Sequence, residues 1–458
     1  MNSFRRALPA ALAVIMLLAS TIYAVAAESG VGNFKYSDDY TAGQFLDVSE
    51  TDWFAHYVGD AYNYGFVSGK SPTSFDPGGF LTFGEAVKLV ARLRSIYYTG
   101  SADFTESEPF YDVYIDYALS AGIMERWDGS GGSDQSAYFA PGYDETALRG
   151  TTSGPDDYAA PITRSRFAEL IYNAMPSEVF STLNIIPDFG ICDVSPDAIY
   201  GPATYALYRS GIIAGSDRYG TFYPGSAITR AEACAVMVRL ADPVTRLRFS
   251  LPPQIPVETI FQRSADAVFM IDTFDLDGKS IRTASGFFIS ESGLAVTNLH
   301  VIVGAASAVI TLYNGDTFAM SGIHAISEEF NLIVFSLDTE EAGRSYLTLA
   351  DSGLLEVGSS VYAIGSPLSL INTISAGVIS HTARDVSGET LIQFTAPISF
   401  GSGGSPLLNT LGQVVGVISS SFSYGQNLNL AVPINHIRTL VPDRPISLET
   451  LLKMRSEE

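Results

Sequence analysis

The C-terminal half of the chain alternates short apolar runs with turns, a pattern that predicts β-strands. Three such runs are Ala-Val-Phe-Met-Ile at 267–271, Ala-Val-Ile-Thr-Leu at 308–312 and Val-Tyr-Ala-Ile at 361–364. β-Branched and aromatic residues are enriched in strands, and the Asn-Gly-Asp sequence at 314–316 is a hairpin signal. Short strands at this spacing are typical of a β-barrel, so we predict an all-β domain in this half.

The N-terminal half instead shows helical periodicity in three places, each of which starts at a threonine. Counted from Thr82, Thr163 and Thr229, apolar residues fall at positions +4, +7, +8 and +11. This spacing lays one apolar stripe along a helix. A glutamate three residues after the first and third threonines completes a capping box, whereas Arg166 takes that place after the second. We therefore predict three related amphipathic helices, the second without the box.

Each of these helices is preceded by a similar stretch of sequence, so the half carries an internal repeat. An Asp-Val pair and then a glycine turn stand upstream of every helix; the pairs are at 47–48, 112–113 and 193–194. Phe-x-Pro sequences at 75–77 and 222–224 lead into the first and third helices. The repeats are predicted at residues 40–100, 106–176 and 188–242. The second contains a Gly/Ser/Asp-rich insertion between Met124 and Pro161.

The repeats resemble the S-layer homology (SLH) repeat, which reads F-x-D-V, G-I, F-x-P and T-R-A-E. The third repeat keeps Thr-Arg-Ala-Glu at 229–232, the second keeps Thr163 and Arg164, and the first has Phe83 in place of the arginine. The resemblance implies a mostly α triplet that binds acidic secondary cell-wall polysaccharide. A cation in the first turn adds to the positive end of the helix dipole, so Arg230 and Arg164 are the candidate polysaccharide-binding residues. Solvated surface arginines are the alternative.

A proline-rich segment at 243–256 predicts a stiff linker between the repeats and the β domain. The β domain, at 257–440, resembles the trypsin-like domain of the HtrA (high-temperature-requirement) peptidases in several short motifs that occur in the same order along the chain. These are Ser-Gly-Phe-Phe-Ile-Ser at 285–290, Thr-Asn-Leu-His-Val at 297–301, Asn-Leu-Ile-Val-Phe at 331–335, Leu-Ala-Asp-Ser at 349–352, Ala-Ile-Gly-Ser-Pro at 363–367, Gly401–Asn409 and Ala-Val-Pro at 431–433. The resemblance implies a two-barrel chymotrypsin fold, hence a multidomain α+β protein with a C-terminal tail at 441–458.

The same resemblance places a catalytic triad in which two positions are replaced. A triad needs a serine nucleophile, a histidine base and a carboxylate that orients the histidine. His300 is retained, Asn331 stands at the acid position, and ungapped alignment of G-x-S-G-x-P puts Gly403 at the nucleophile. The implied oxyanion donors are the backbone N–H groups of Gly401 and Gly403. Because glycine offers no nucleophile and an amide no negative charge, we predict an inactive domain that acts as a binding or regulatory module.

Alternatives to this interpretation stay open. Shifting the loop by one residue makes Ser402 the nucleophile, with Ser405 inserted before Pro406, and favours an active surface serine endopeptidase with an aberrant triad. A structural envelope protein, with the β domain as a spacer, is a third hypothesis. The cleft itself either still binds extended peptides or proteins, or is filled by Phe400, which stands where related loops often carry proline.

Charge and composition limit the partners and cofactors that the protein can have. The 458 residues include 26 Lys and Arg against 49 Asp and Glu, a net charge of −23. So acidic a surface repels nucleic acid, which we exclude as a partner. Two cysteines, Cys192 and Cys234, make no disulfide framework, and with five histidines we expect neither a metal site nor a cofactor.

The N-terminus reads as an export signal over residues 1–27. Arg5 and Arg6 precede an apolar stretch, Leu8 to Ile22, and Ala24-Val25-Ala26 offers a cleavage site. An uncleaved membrane anchor is the alternative, but the apolar stretch is short for a spanning helix. We therefore expect an exported protein held at the cell wall.

Overall fold

The computed structural model describes residues 29–105, 107–125, 158–338, 344–366, 372–386, 388–419, 428–440 and 444–456. The predicted export signal and most of the predicted insertion lie outside these ranges. Within them, no helix combines the length and the apolar character needed to cross a bilayer. The chain forms two compact units. The first unit comprises the described residues up to Glu125 together with Thr229–Arg246, and the second comprises the described residues of 158–228 and 247–456.

The helices and strands are numbered in chain order. The helices are α1 (Ala55–Asn63), α2 (Phe83–Thr99), α3 (Asp112–Ser120), α4 (Arg164–Ala174), α5 (Gly201–Arg209), α6 (Arg230–Ala241), α7 (Val257–Ser264), α8 (Leu299–Ile302) and α9 (Leu448–Ser456). The strands are β1 (Val268–Phe274), β2 (Ser280–Phe288), β3 (Ala295–Asn298), β4 (Ser307–Thr311), β5 (Thr317–Ser327), β6 (Leu332–Leu337), β7 (Ser360–Gly365), β8 (Thr373–Val386), β9 (Glu389–Phe394), β10 (Pro406–Leu408), β11 (Val414–Ile418) and β12 (Asn429–Pro433).

The three threonine-capped helices are confirmed. Thr82 accepts the N–H of Glu85 at the start of α2, and the Glu85 carboxylate accepts the N–H of Thr82. The same reciprocal box opens α6, whereas Thr163 caps α4 through the N–H of Arg166 alone. Within the first unit, α1 packs against α6 and α2 packs against α3. Their apolar stripes, among them Leu93, are buried, so burial of one face stabilises each helix.

The predicted two-barrel domain is confirmed within the second unit. One closed six-stranded barrel has the order β1-β2-β3-β6-β5-β4, and the other has the order β10-β11-β12-β9-β8-β7. The Asn-Gly-Asp hairpin joins β4 to β5, and Gly315 adopts a φ of 91°, which glycine tolerates without strain. Each barrel has its own apolar core, and a third cluster lies where the two barrels meet.

The third-repeat residues of the second unit are bonded directly to the β domain. The Gln413 side chain, fully buried in the β10–β11 turn, donates to the carbonyls of Phe189 and Ile191, both at 3.1 Å. Arg438 forms an ion pair with Asp197 at 2.7 Å. Because these bonds come from two separate elements of the domain, the repeat segment is held at two points.

The segment predicted as a linker also makes contacts along its course from Leu247 onward. The Leu247 N–H donates to Gly211, and Phe249 donates to the side-chain oxygen of Asn184. Ile255 is buried in the cluster between the barrels. At the other end of the domain, α9 of the predicted tail packs on the first barrel through Leu448 and its neighbours.

Candidate functional site

His300 and Asn331 are brought together by the pairing of two strands. His300 lies in α8, directly after β3, and Asn331 directly precedes β6. These strands pair antiparallel up to the register Asn298 opposite Leu332. The Asn331 side chain consequently meets His300 twice: its Oδ1 accepts the His300 backbone N–H at 2.9 Å, and its Nδ2 lies 2.8 Å from His300 Nδ1. The residue predicted at the acid position therefore contacts the histidine.

These two contacts fix the imidazole tautomer. Because the backbone N–H needs an acceptor, Oδ1 of Asn331 must face it, and Nδ2 must then face the ring. An amide NH₂ only donates, so Nδ1 of His300 accepts, and the neutral ring carries its proton on Nε2. A general base in a triad needs the opposite tautomer, with a lone pair on Nε2.

The surroundings keep this histidine neutral. Burial lowers the pKa of His300, and the positive charge of Arg282 adds to this effect. The folded protein therefore favours the uncharged ring at neutral pH. With an amide at position 331, the direct partner supplies no negative charge that would stabilise an imidazolium ion.

The loop that carries Gly401 and Gly403 is held against the first barrel by one buried serine. The Ser285 N–H donates to the Gly403 carbonyl at 2.9 Å, and the Ser285 hydroxyl donates to the Gly401 carbonyl at 2.8 Å. The carbonyl of Ser285 accepts a hydrogen bond from the hydroxyl of Thr297, three residues before His300, at 2.7 Å. Ser285 thus ties the loop to the strand that ends at the histidine. Sequence reasoning missed this role, although Ser285 opens the first matched motif.

Gly404 explains why the loop needs glycine at its centre. Its φ is 83°, in the left-handed region, and its N–H donates to the Ile418 carbonyl at 2.8 Å. A Cβ at this position would collide with the Thr297 hydroxyl and the Ser285 carbonyl. The backbone there lies against β2 and β3 more closely than any side chain permits.

The hydrogen bonds of the loop distinguish the two alignments. In a trypsin-like site, the nucleophile's own N–H is an oxyanion donor. The Ser402 N–H is occupied by the Ser399 carbonyl at 3.0 Å, and the Ser402 hydroxyl accepts the Ser399 N–H at 3.3 Å. The N–H groups of Gly401 and Gly403 have no partner among the residues that the structure describes. Among the described residues, the N–H of Gly403 is therefore without a partner, whereas that of Ser402 is not.

The hypothesis that Phe400 fills the cleft is wrong. Its side chain is 86% exposed, next to the exposed Pro397 and Ser399. The hydroxyl of Ser405, the extra residue of the shifted alignment, donates to the Ser402 carbonyl within the same turn. Phe400 therefore projects outward from the loop and leaves the donor pair of Gly401 and Gly403 uncovered by its ring.

The two candidate arginines of the repeats are buried, so the alternative that they are solvated surface residues is wrong. Arg230 is 8% exposed; it donates to the carbonyls of Phe75 and Ser68 at 3.1 and 3.0 Å and pairs with Glu85 at 3.2 Å. Arg164, equally buried, donates to the Phe222 carbonyl at 2.7 Å. Each arginine therefore joins its helix to the Phe-x-Pro segment of another repeat.

A cavity of about 430 Å³ opens beside Arg230 in the first unit. Its charged lining consists of three cations, Arg230, Lys88 and Arg92, and two carboxylates, Asp38 and Glu85. Arg92 makes no hydrogen bond among the described residues, and its Nε is fully buried. The cavity thus offers an uncommitted guanidinium group to an anionic ligand.

Comparison with known proteins identifies the two parts of the chain. Residues 284–417 match the family model of the trypsin-like peptidase domain, and residues 44–87 and 193–234 match that of the S-layer homology domain. The chain therefore combines SLH repeats with a trypsin-like peptidase domain.

Its relatives among curated proteins are HtrA-type serine proteases. The putative serine protease HhoA of Synechocystis sp. is 29% identical over 226 residues, which are 47% of this chain and 53% of that protein. The mitochondrial serine protease HTRA2 of Drosophila virilis is 32% identical over 194 residues, 39% of this chain and 45% of that protein. The chain spans about half the length of the curated relatives it matches.

Solved structures similar to this chain include the HtrA-type protease AlgW with tripeptide and Deg5. The first is 26% identical, with a TM-score of 0.37 over 40% of this chain and 61% of that one. The second is 30% identical, with a TM-score of 0.35 over 40% of this chain and 90% of that one.

Proposed function

We propose that this chain, in which SLH repeats precede an HtrA-like trypsin domain, is an exported cell-wall protein that presents its peptidase-like domain as a binding or regulatory module. The observation that carries the proposal is the pair of contacts between Asn331 and His300. They fix the tautomer that cannot accept a proton on Nε2. Extended peptides or proteins are the proposed partners of the domain, since trypsin-like clefts hold chains by strand addition, which uses backbone edges rather than a triad.

Two independent losses argue against hydrolysis. Acyl transfer needs a nucleophile, and the backbone N–H that matches an oxyanion donor belongs to Gly403, which has no side chain. It also needs a base, and in trypsin the change of the triad aspartate to asparagine alone lowers kcat about 10⁴-fold. Removing both functions leaves the oxyanion donors in place, so binding can outlast catalysis.

The competing hypothesis, an active peptidase that uses Ser402, is tested by a fluorophosphonate probe. We expect no covalent labelling of the full chain and no release of peptides from casein. The Ser402 hydroxyl is hydrogen-bonded to Ser399, and Nε2 of the neutral His300 carries a hydrogen and so has no lone pair to accept a proton. Mass spectrometry of the digested protein locates any adduct. Labelling at Ser402 that disappears in Ser402→Ala would overturn the inactive assignment, and a commercial trypsin serves as positive control.

Attachment to the wall is proposed to run through the cavity beside Arg230. SLH domains generally bind cell-wall polysaccharides, and an acidic secondary polymer suits a cavity whose cations outnumber its carboxylates. In this proposal Arg230 lies at the wall of the cavity, and Arg92 supplies a guanidinium group that has no hydrogen-bond partner among the described residues. A polysaccharide-binding role for Arg164 stays a prediction. Phe83 of the first repeat lacks the charge, as its sequence predicts.

Replacing Arg92 by glutamine is expected to lower the affinity for purified wall sacculi about tenfold or more, because a hydrogen bond to a charged group contributes roughly 1.5–3 kcal/mol. Co-sedimentation of the full chain with sacculi measures the bound fraction. Arg94→Gln is the matched control, since Arg94 lies on the same helix, stacks on Tyr98 and does not line the cavity. Equal sedimentation of the two variants would remove Arg92 from the site.

A further inference from the structure

A second cavity, of about 520 Å³, lies within the second unit, where third-repeat residues meet the β domain; we call it the junction cavity. Both sides contribute to its wall: Cys192, Asp193, Thr221 and residues 223–226 from the repeat, and α7, residues 344–348 and the β10–β11 turn from the β domain. Pockets that take small molecules usually measure roughly 300–1,000 Å³. The junction cavity therefore has room for a ligand, and neither wall attachment nor the peptidase-like cleft uses it.

Two buried hydroxyl groups in the wall of the junction cavity have no hydrogen-bond partner among the described residues. Ser264, the last residue of α7, is 2% exposed, and its side chain makes no capping bond. Thr348 is 8% exposed; its carbonyl accepts the Val414 N–H, but its hydroxyl makes no bond. Buried polar side chains nearly always have a partner. The two hydroxyls thus indicate that the cavity receives a polar group that the chain itself does not supply.

Much of the remaining wall is apolar. Ile255, Ile260 and Leu347 line the cavity and belong to the buried cluster between the barrels, and the partly buried Leu411 packs against that cluster. Covering such a wall with an apolar group removes it from water, which is favourable roughly in proportion to the area covered. The cavity therefore suits a ligand with an apolar body and a small polar end.

The charges in the wall favour a cationic end. Three carboxylates and two guanidinium groups line the cavity: Asp193, Asp266, Glu291, Arg263 and Arg344. Arg263 is paired with Asp217 at 2.7 Å, and the Arg344 guanidinium lies over the ring of Phe318 at 4.5 Å. The carboxylate of the exposed Asp266, in contrast, has no partner among the described residues. The cavity consequently attracts a cation and repels an anion, which is the reverse of the cavity beside Arg230.

We propose that the junction cavity binds a small amphipathic cation that consists of an apolar body and a primary ammonium group. The body packs on Ile260 and Leu347, and the ammonium group, which only donates hydrogen bonds, pairs with the carboxylate of Asp266. The hydroxyls of Ser264 and Thr348 give the ligand further oxygen acceptors. Because the walls come from the third repeat and from the β domain, such a ligand contacts both. The inference is independent of the functions proposed for the cleft and for the wall repeats.

The test compares probes that share one apolar chain and differ in their end group: hexylamine, which is protonated at neutral pH, hexanol and hexanoate. Their binding to the full chain is titrated by saturation-transfer difference NMR. Hexylammonium is expected to bind about threefold or more tightly than hexanol, because an exposed ion pair adds a modest attraction. Hexanoate is expected to bind more weakly than hexanol, because its charge meets charges of the same sign.

Three variants locate the binding. Asp266→Asn is isosteric and uncharged, so the preference for hexylammonium over hexanol is expected to disappear. Thr348→Val keeps the shape of the side chain but removes a hydroxyl, and it is expected to weaken both probes about threefold. Asp277→Asn is the matched control, since Asp277 is an exposed aspartate that does not line the cavity; its affinities should equal those of the wild type. Circular dichroism melting confirms that the variants fold.

Each outcome bears on the proposal. Absence of saturable binding by both hexylammonium and hexanol overturns the site. Hexanoate that binds as tightly as hexylammonium overturns the choice of a cation. A preference for hexylammonium that falls equally in Asp277→Asn and Asp266→Asn belongs to the general negative charge of a chain with a net charge of −23 and contradicts a built site. Affinities that neither Asp266→Asn nor Thr348→Val changes place the binding outside the cavity and overturn the proposal as well.

Discussion

Combining Gly403→Ser with Asn331→Asp is expected to give a peptidase at least about 10⁴-fold more active than Gly403→Ser alone. Serine supplies the nucleophile at the position whose N–H matches an oxyanion donor. Position 403 does not adopt a positive φ, so a side chain introduces no backbone strain there. Aspartate then accepts the proton of Nδ1, frees the lone pair on Nε2 and stabilises the imidazolium ion that forms during acyl transfer.

Casein hydrolysis and the rate of fluorophosphonate labelling measure this gain. Asn331→Asp alone is the control for a base without a nucleophile, and it should stay inactive. Adding Ser402→Ala to the double variant should change little, because the Ser402 hydroxyl belongs to the turn with Ser399. If the double variant is no faster than Gly403→Ser, the amide is not what limits this site. If activity disappears with Ser402→Ala, the shifted alignment is correct.

Arg230→Ala is expected to destabilise the first unit by about 3 kcal/mol. The substitution removes bonds to two carbonyls and to Glu85 and leaves polar groups of the interior without partners. Hydrogen–deuterium exchange of the α2 and α6 amides reports the opening of this unit alone, and the loss corresponds to exchange roughly a hundredfold faster.

Arg230→Lys separates charge from geometry in this experiment. A lysine keeps the cation near Glu85 but cannot make the forked set of bonds, so an intermediate effect is expected. Exchange rates unchanged from wild type in Arg230→Ala would contradict the structural role. For the same reason, a loss of wall binding in Arg230→Ala alone does not identify a ligand contact, and Arg92 is the better probe of the cavity.

The helices and barrels were predictable because their signals are local. A capping box spans four residues, and each motif shared with the HtrA domain spans about five, so both can be recognised without knowledge of the rest of the chain. The burial of Arg230, by contrast, depends on contacts that are distant in sequence. Its partners Phe75 and Ser68 lie 155 and 162 residues away in sequence, and no periodicity in α6 reveals them.

The residues of the candidate site divide in the same way. His300 and Asn331 follow from short motifs that resemble the HtrA sequence, and the structure brings them together. The alignment of the nucleophile loop could not be decided from Gly-Ser-Gly-Gly-Ser, because a shift of one residue places serine instead of glycine at the nucleophile position and the short sequence fits both alignments. What separates Ser402 from Gly403 is that the Ser402 N–H donates to the Ser399 carbonyl, and a backbone hydrogen bond of this kind cannot be inferred from the residue types. The same holds for the outward direction of Phe400.

The bonds from Gln413 to Phe189 and Ile191, with the ion pair of Arg438 and Asp197, bear on how such a protein can be shed. A protease that separates the β domain from the repeats has to cut the chain between them. A nick there breaks one covalent connection and leaves the third-repeat residues of the second unit bonded to the barrels by Gln413 and Arg438. Release of the β domain into the surroundings would then require that these bonds open as well, so cleavage and departure are separate events.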